Sequence, residues 1–352
     1  MCSTPIRFLI GCVVVVRCVA GSEAAAECAV DDRSGAVQAT FAIHLSSGCS
    51  EAERRGHAVA ASNVLEAIKQ GRAIDLSGVV VEGDWSLDEL PKGALPSELE
   101  RDVPAATAVR VVPAGISVVD SVVLGAIRHQ SSQGLLVVKG PVTFSGTRFE
   151  HTVDLSRTAF MQPVTLSHAI FLKESYFVQA RFLRNVFAEK TAFGPHTRFH
   201  RSRFYGPVTF LQSGFGGMAE FLEVQFDREA DFSRTYFKLG TGFSGSRFEQ
   251  TADFSEAVFD REAFFTFTRF GGDAFFRRAT FHAAADFDDA HFAARDDFSK
   301  TLFEGDAKFA RVKRPVEGPA PLGVENPQVQ YAITLSLLVF SALLIAYLIR
   351  SR

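Results

Sequence analysis

The chain has 352 residues, room for one large domain or two ordinary ones, and a formal charge of −3. That near balance excludes any whole-protein electrostatic case for nucleic-acid binding. One residue dominates the composition: 35 Phe stand against 5 Tyr, 1 Trp and 3 Met. An ordinary core mixes Leu, Ile, Val and Phe, so a repeated unit is expected.

Residues 1–26 read as a secretory signal. Arg7 supplies a basic start, Phe8 to Val16 form an apolar run, and cleavage fits after Ala20 or Ala26. The run is too short to span a bilayer, which needs ~20 residues. Leu9-Ile10-Gly11-Cys12 resembles a bacterial lipobox, but too few apolar residues precede Cys12 for lipidation to be expected. Removing the segment takes Cys2, Cys12 and Cys18 with it. Cys28 and Cys49 remain, either as a candidate disulfide in an exported protein or as two free thiols.

Residues 27–110 read as an N-terminal cap region with a short helix and a first coil. The helix is expected over Glu53 to Gln70, with Val59, Val64, Leu65 and Ile68 near one face and Gly71 as its stop. Leu76, Val81 and Leu87 introduce a five-six spacing. Leu90 to Thr107, rich in Pro and charge, reads as an inserted loop.

Residues 111–310 carry the repeat. One series runs at every eleventh residue: Phe149, Phe160, Phe171, Phe182, Phe193, Phe204, Phe215, Phe226, Phe237, Phe248, Phe259, Phe270, Phe281, Phe292 and Phe303. A second runs Phe144, Leu155, Leu166, Phe177, Ala188, Phe199, Phe210, Phe221, Phe232, Phe243, Phe254, Phe265, Phe276, Phe287, Phe298 and Phe309. Only Ala188 breaks it, with Phe187 beside it. Extended backwards, the registers meet Ile116, Ile127 and Val138 in one and Val111 and Val122 in the other.

An eleven-residue period also suits a right-handed coiled coil. However, a step of five sets the two series ~140° apart on a helix, not on one stripe. Pro163, Pro195 and Pro207 also lie inside the array. Short strands joined by corners fit better. The residue two before each Phe is almost always small or β-branched, such as Ala230, Ala252, Ala257, Thr268, Ala285 and Thr301. In a strand it shares the face of the Phe, so each side turns one ring and one small residue inward. Asp253, Glu256 and Arg261 then point outward. The expected fold is an all-β repeat solenoid with a core ladder of Phe rings.

The units Ala252-Asp253-Phe254-Ser255-Glu256 and Ala257-Val258-Phe259-Asp260-Arg261, followed by the extra Glu262, resemble the pentapeptide-repeat family in a Phe-rich, eleven-residue branch. The resemblance covers about 141–310. It implies a right-handed, quadrilateral parallel β-helix with the Phe inside. At 22 residues per coil, the Phe array would make roughly eight coils, ~37 Å long at ~4.8 Å per rung. A polar N-terminal helix would cap its exposed edges.

Residues 311–328 read as a linker. Residues 329–349 carry no charge and suffice for one transmembrane helix, with Tyr331 and Tyr347 near its ends. Arg350 and Arg352 favour a cytoplasmic C-terminus and an exported repeat domain.

No catalytic, cofactor or metal site is expected. The acids recur in register, as in Asp227-Arg228-Glu229 and Asp260-Arg261-Glu262, which is how solvated coil faces read. His196 and His200 have a helical ligand spacing, but on a β-array. Arg148 to Arg203 balances to +5 and Phe204 to Phe309 to −7, an axial charge dipole. Some members of the family look like duplex DNA and bind topoisomerase, which needs acid along the whole rod. Here 141–314 sums to about +1.

The expected role is a membrane-anchored scaffold that presents a β-helix surface to an unknown protein or envelope component, with homo-oligomers allowed and no nucleic acid. The alternatives are a polysaccharide-acting enzyme, a cytoplasmic tail-anchored scaffold, or a subunit of a membrane channel assembly.

Overall fold

A computed structural model describes residues 28–35, 38–129, 134–315 and 324–325. The expected signal at 1–26 and the transmembrane segment at 329–349 lie outside them. Among the described residues, no helix is long and apolar enough to cross a membrane.

The chain winds into a parallel β-solenoid of about eleven turns. Each turn has four short strands, here termed sides one to four in chain order. One turn runs Ala252–Asp253, Val258–Phe259, Ala263–Phe264 and Arg269–Phe270. Ala252 pairs with Ala230 on one side and Ala274 on the other, so a rung takes 22 residues. Every ladder in the Phe array is parallel, and hydrogen bonds run along the rod.

Alternation within each strand decides what lies inside. The Phe of both series are buried as far as Phe303, with Phe309 partly so, and the small residues two positions before the buried Phe are buried too, Asp296 excepted. Rings of successive rungs stack with centroids 4.5–5.3 Å apart, close to the strand spacing. Sides one and three meet edge to face, as in Phe243–Phe254 at 5.2 Å and 85°. This satisfies the ring quadrupoles in both directions. At the gap in the ladder, Ala188 is buried and Phe187 points out, 37% exposed.

The corners follow from five- and six-residue steps. After sides one and three the step is five, and a tight turn closes it: Thr235 N–H donates to Phe232 O, and Thr268 N–H to Phe265 O. The residue before each such donor has positive φ, here Arg234 at 55° and Phe267 at 57°. Glycine fills this place only at Gly146 and Gly245. Elsewhere in the array, Phe267 excepted, charged and polar residues recur every eleven positions, at a steric cost of ~1 kcal/mol or more each. Their heads pair across rungs, as in Arg234 to Glu256 at 2.9 Å and Arg311 to Asp289 at 2.6 Å. Hydroxyls at the small inward positions bond carbonyls of the previous rung, as Thr268 Oγ1 does to Phe243 O at 2.9 Å. Phe267 has no such pairing and is 64% exposed. Phe267→Asn is therefore expected to stabilise by ~0.5–1 kcal/mol, read as a higher urea midpoint.

Two corrections and one addition concern the N-terminal third. The expected single helix is two: α1, Glu51–Gly56, and α2, Ala61–Lys69. Between them Val59–Ala60 forms a side-two strand pairing with Val81–Glu82. A Ser50–Glu53 capping box starts α1, and Gly71 ends the α2 segment with φ 82°. In this first, incomplete rung α2 occupies the chain positions of sides three and four. Its Val64, Leu65 and Ile68 join the core.

The second correction is one of register. Val111 and Val122 face outward. Val112, Val118 and Val123 are the buried ladder residues, because the step from His129 on side three to Val138 on side four is longer than the usual five residues. A one-residue slip turns a strand over. Ile116 and Ile127 are buried, but at the small-residue position of their strands. Where aliphatic rungs meet Phe rungs a void of about 20 Å³ remains, lined by Trp85, Leu136, Phe144 and Phe160 among others.

Third, His129 holds an inward ladder position, in line with Leu87 and Leu155 of the neighbouring rungs. Its side chain is fully buried, with Nδ1 3.1 Å from Asp88 Oδ1. Burial pushes its pKa below the ordinary 6.5, against the pull of Asp88. The unfolded chain therefore takes up a proton first as pH falls, so stability is full above about pH 6.5 and declines below it. The urea midpoint should drop between about pH 7 and about pH 5, and His129→Leu should flatten that drop.

Cys28 and Cys49 are joined by a disulfide. The bridge fastens Cys28, just ahead of Val30–Arg33, beside α1. Strand β1, Val30–Arg33, pairs antiparallel with β2, Thr40–Leu45, on the edge of side one.

Candidate binding face

The outward residue one before each ladder Phe forms a column along every side. On side four it reads Arg181, Arg203, Gln225, Arg247, Arg269 and His291, paired rung to rung. Lys313 continues it through a bridge to His291. Like charges placed directly opposite repel, so such a column opposes folding unless something neutralises it. Arg203 is neutralised by Asp227 at 3.0 Å and approached by Asp102 at 3.5 Å. Arg247, Arg269 and His291 make no ion pair among the described residues. They line a shallow groove of about 190 Å³ together with Glu249, Gly271 and Ala293.

The other sides mix charge. Side one carries Asp231, Asp253 and Asp297, each with its carboxylate on the backbone N–H two residues on. Charge is thus sorted by face as well as along the axis, which counting along the chain did not reveal. The cationic column runs on through the acidic half of the rod.

The inserted loop packs on side four at its N-terminal end. Leu99 and Val103 form a second apolar cluster with Val109, Leu135, Val137 and Ala159 on the outside of the strands. Arg110 Nη1 donates to Leu90 O at 2.6 Å. The far end is held by Asp102. The Tyr205 hydroxyl donates to its carboxylate, and Arg181 Nη2 donates to its carbonyl at 3.1 Å. Burial, and then the Asp102 hydrogen bond, push the Tyr205 phenol up to about 12. Between loop and side four lies a cleft of about 610 Å³.

The histidines singled out by spacing have other partners. His196 Nε2 lies 2.8 Å from Glu220 Oε1 and 3.1 Å from Arg198 Nε, while His200 lies 3.8 Å from Glu223. No group of three or more His, Cys, Asp or Glu placed to hold a metal occurs among the described residues.

The 22-residue rung of four strands, with one ring per strand turned inward, is what two five-residue and two six-residue steps produce. The sequence profile of the family described as Pentapeptide repeats (9 copies) matches residues 243–291. This segment carries pentapeptide repeats. In the matched segment of this pentapeptide-repeat solenoid the ladder is unbroken from Phe243 to Phe287. No curated protein and no solved structure matches the chain at a significant level.

Proposed function

We propose that this pentapeptide-repeat protein is an exported, membrane-anchored scaffold without catalysis, whose side four is the binding face for an acidic protein or envelope component. The observation that carries the reading is the column at Arg247 and Arg269, two guanidiniums without an ion pair among the described residues. A face that repels itself gains when an anionic partner docks. Export is supported by the Cys28–Cys49 disulfide, which persists in oxidising compartments, and by the apolar start of the chain. Residues 329–349 supply the anchor in this reading, and α2 closes the N-terminal end of the solenoid against edge pairing.

Two measurements test it. Protease added to intact spheroplasts should digest the solenoid, and the mature N-terminus should fall near Gly21 or Glu27. Full protection with Met1 retained would put the domain on the other side of the membrane. Separately, the full chain in nanodiscs should bind poly-L-glutamate with an affinity that falls as salt rises. The double change Arg247→Glu and Arg269→Glu should abolish that binding, and Arg261→Glu with Lys300→Glu should leave it nearly intact. Equal effects of both pairs would reduce the column to bulk charge.

A further inference from the structure

The cleft under the inserted loop is separate from the cationic groove. It measures about 610 Å³, within the range of sites that enclose small ligands. Its floor is one outward column of side four: Lys139, Met161, Leu183 and Tyr205, on four successive rungs. Three rung steps give a floor ~14 Å long, the length of about four extended residues. Met161 and Leu183 are half-buried and apolar, while Tyr205 is held at the far end by Asp102.

The opposite wall is Ala94, Leu95, Pro96 and Glu98. Gly93 N–H is bonded to Val109 O, and Pro96 O accepts from Leu99 N–H. Between them, Ala94 and Leu95 have no backbone hydrogen bond among the described residues. The N–H and C=O groups of these two wall residues are therefore free to pair with a ligand. An acyl chain would leave them unused, whereas an extended peptide pairs with them as an added strand does.

Charge sets the other requirement. Lys139 and Arg184 line the cleft without a carboxylate partner among the described residues; Arg184 Nη1 reaches only Leu183 O, at 3.3 Å. Glu98 is the one acid in the lining and accepts from Ser97 Oγ at 3.3 Å. The lining therefore carries one cation in excess. We infer that this cleft binds a short, extended, apolar peptide bearing a single carboxylate, its backbone on Ala94–Leu95 and its side chains on Met161 and Leu183. Loop and rungs together make the site, and neither wall encloses it alone.

The test uses the full chain in nanodiscs and the probe acetyl-Ala-Leu-Ala-Leu, as free acid and as carboxamide, in titration calorimetry. The free acid should bind at one site per chain and the amide about tenfold or more weaker. Lys139→Gln with Arg184→Gln should bring the acid down to the amide and leave the amide unchanged. Ala94→Pro removes an N–H that bonds nothing in the protein, so the fold persists; both probes should weaken by about three- to tenfold. Equal binding of acid and amide would overturn the charge requirement. An unaltered Ala94→Pro variant would overturn strand pairing, and no saturable binding would overturn the site. None of these outcomes depends on side-four docking of a larger partner.

Discussion

Phe254→Ala is expected to destabilise the solenoid by ~3–5 kcal/mol, the range for deleting a buried aromatic ring. Phe254 is completely buried. It stacks on Phe232 and Phe276, each at 5.0 Å, and meets Phe243 at 5.2 Å and Phe265 at 5.5 Å edge to face. Neighbouring rungs are held at fixed spacing by their own ladders, so the hole cannot collapse fully. Glu256, two residues on, is the contrast. It bridges Arg234 at 2.9 Å and Arg278 at 3.1 Å, but in solvent, where such pairs contribute little. Urea melts of Phe254→Ala and Glu256→Gln should therefore differ widely. Small, equal losses would rule out the inward ladder. Because each rung touches only its neighbours, exchange of backbone amides should rise first between about Phe232 and Phe276 in the Phe254→Ala chain.

Reduction of the Cys28–Cys49 disulfide is expected to cost ~3 kcal/mol, the loop-closure value for a sequence separation of 21. The loss should be local. The bridge closes the segment holding β1 and β2, which cover the edge of side one, and reaches the start of α1. The variant Cys28→Ser with Cys49→Ser should show a lower urea midpoint without added reductant, and reductant should no longer alter it. An unchanged midpoint in the double variant would mean that β1 and α1 hold the N-terminal rungs unaided.

The Phe array was legible because two constraints coincide there. The period fixes the rung, and alternation fixes the face, so a ring in the wrong place would break the pattern at once. The aliphatic rungs lack the second constraint. Val111 stands beside Val112 and Val122 beside Val123, and either member of each pair suits a core. Sequence therefore could not locate the shift between His129 and Val138 that decides between them. The helix was over-extended for a similar reason: Val59 fits an apolar helix face as well as a strand, and only its pairing with Val81 settles the matter. The cationic column of side four is present in the sequence as Arg181, Arg203, Arg247 and Arg269 in one 22-residue register. It was hidden by counting charge along the chain instead of around the rung. The cleft was not legible at all, since its wall at Ala94–Glu98 and its floor at Lys139–Tyr205 meet only in the fold, through the packing of Leu99 and Val103 and the bonds of Asp102 to Tyr205 and Arg181.

The sameness of the Phe rungs also bears on how the rod is assembled. A displacement of a whole rung would set Phe on Phe again and preserve most stacks, so the array alone does not say which turn comes first. The N-terminal rungs remove that degeneracy. They have a disulfide, a helix in place of two sides, a buried histidine and an inserted loop, none of which fits one turn further along. Emerging first during synthesis, they would act as a seed of unique shape, and each later turn would be templated on the one before it.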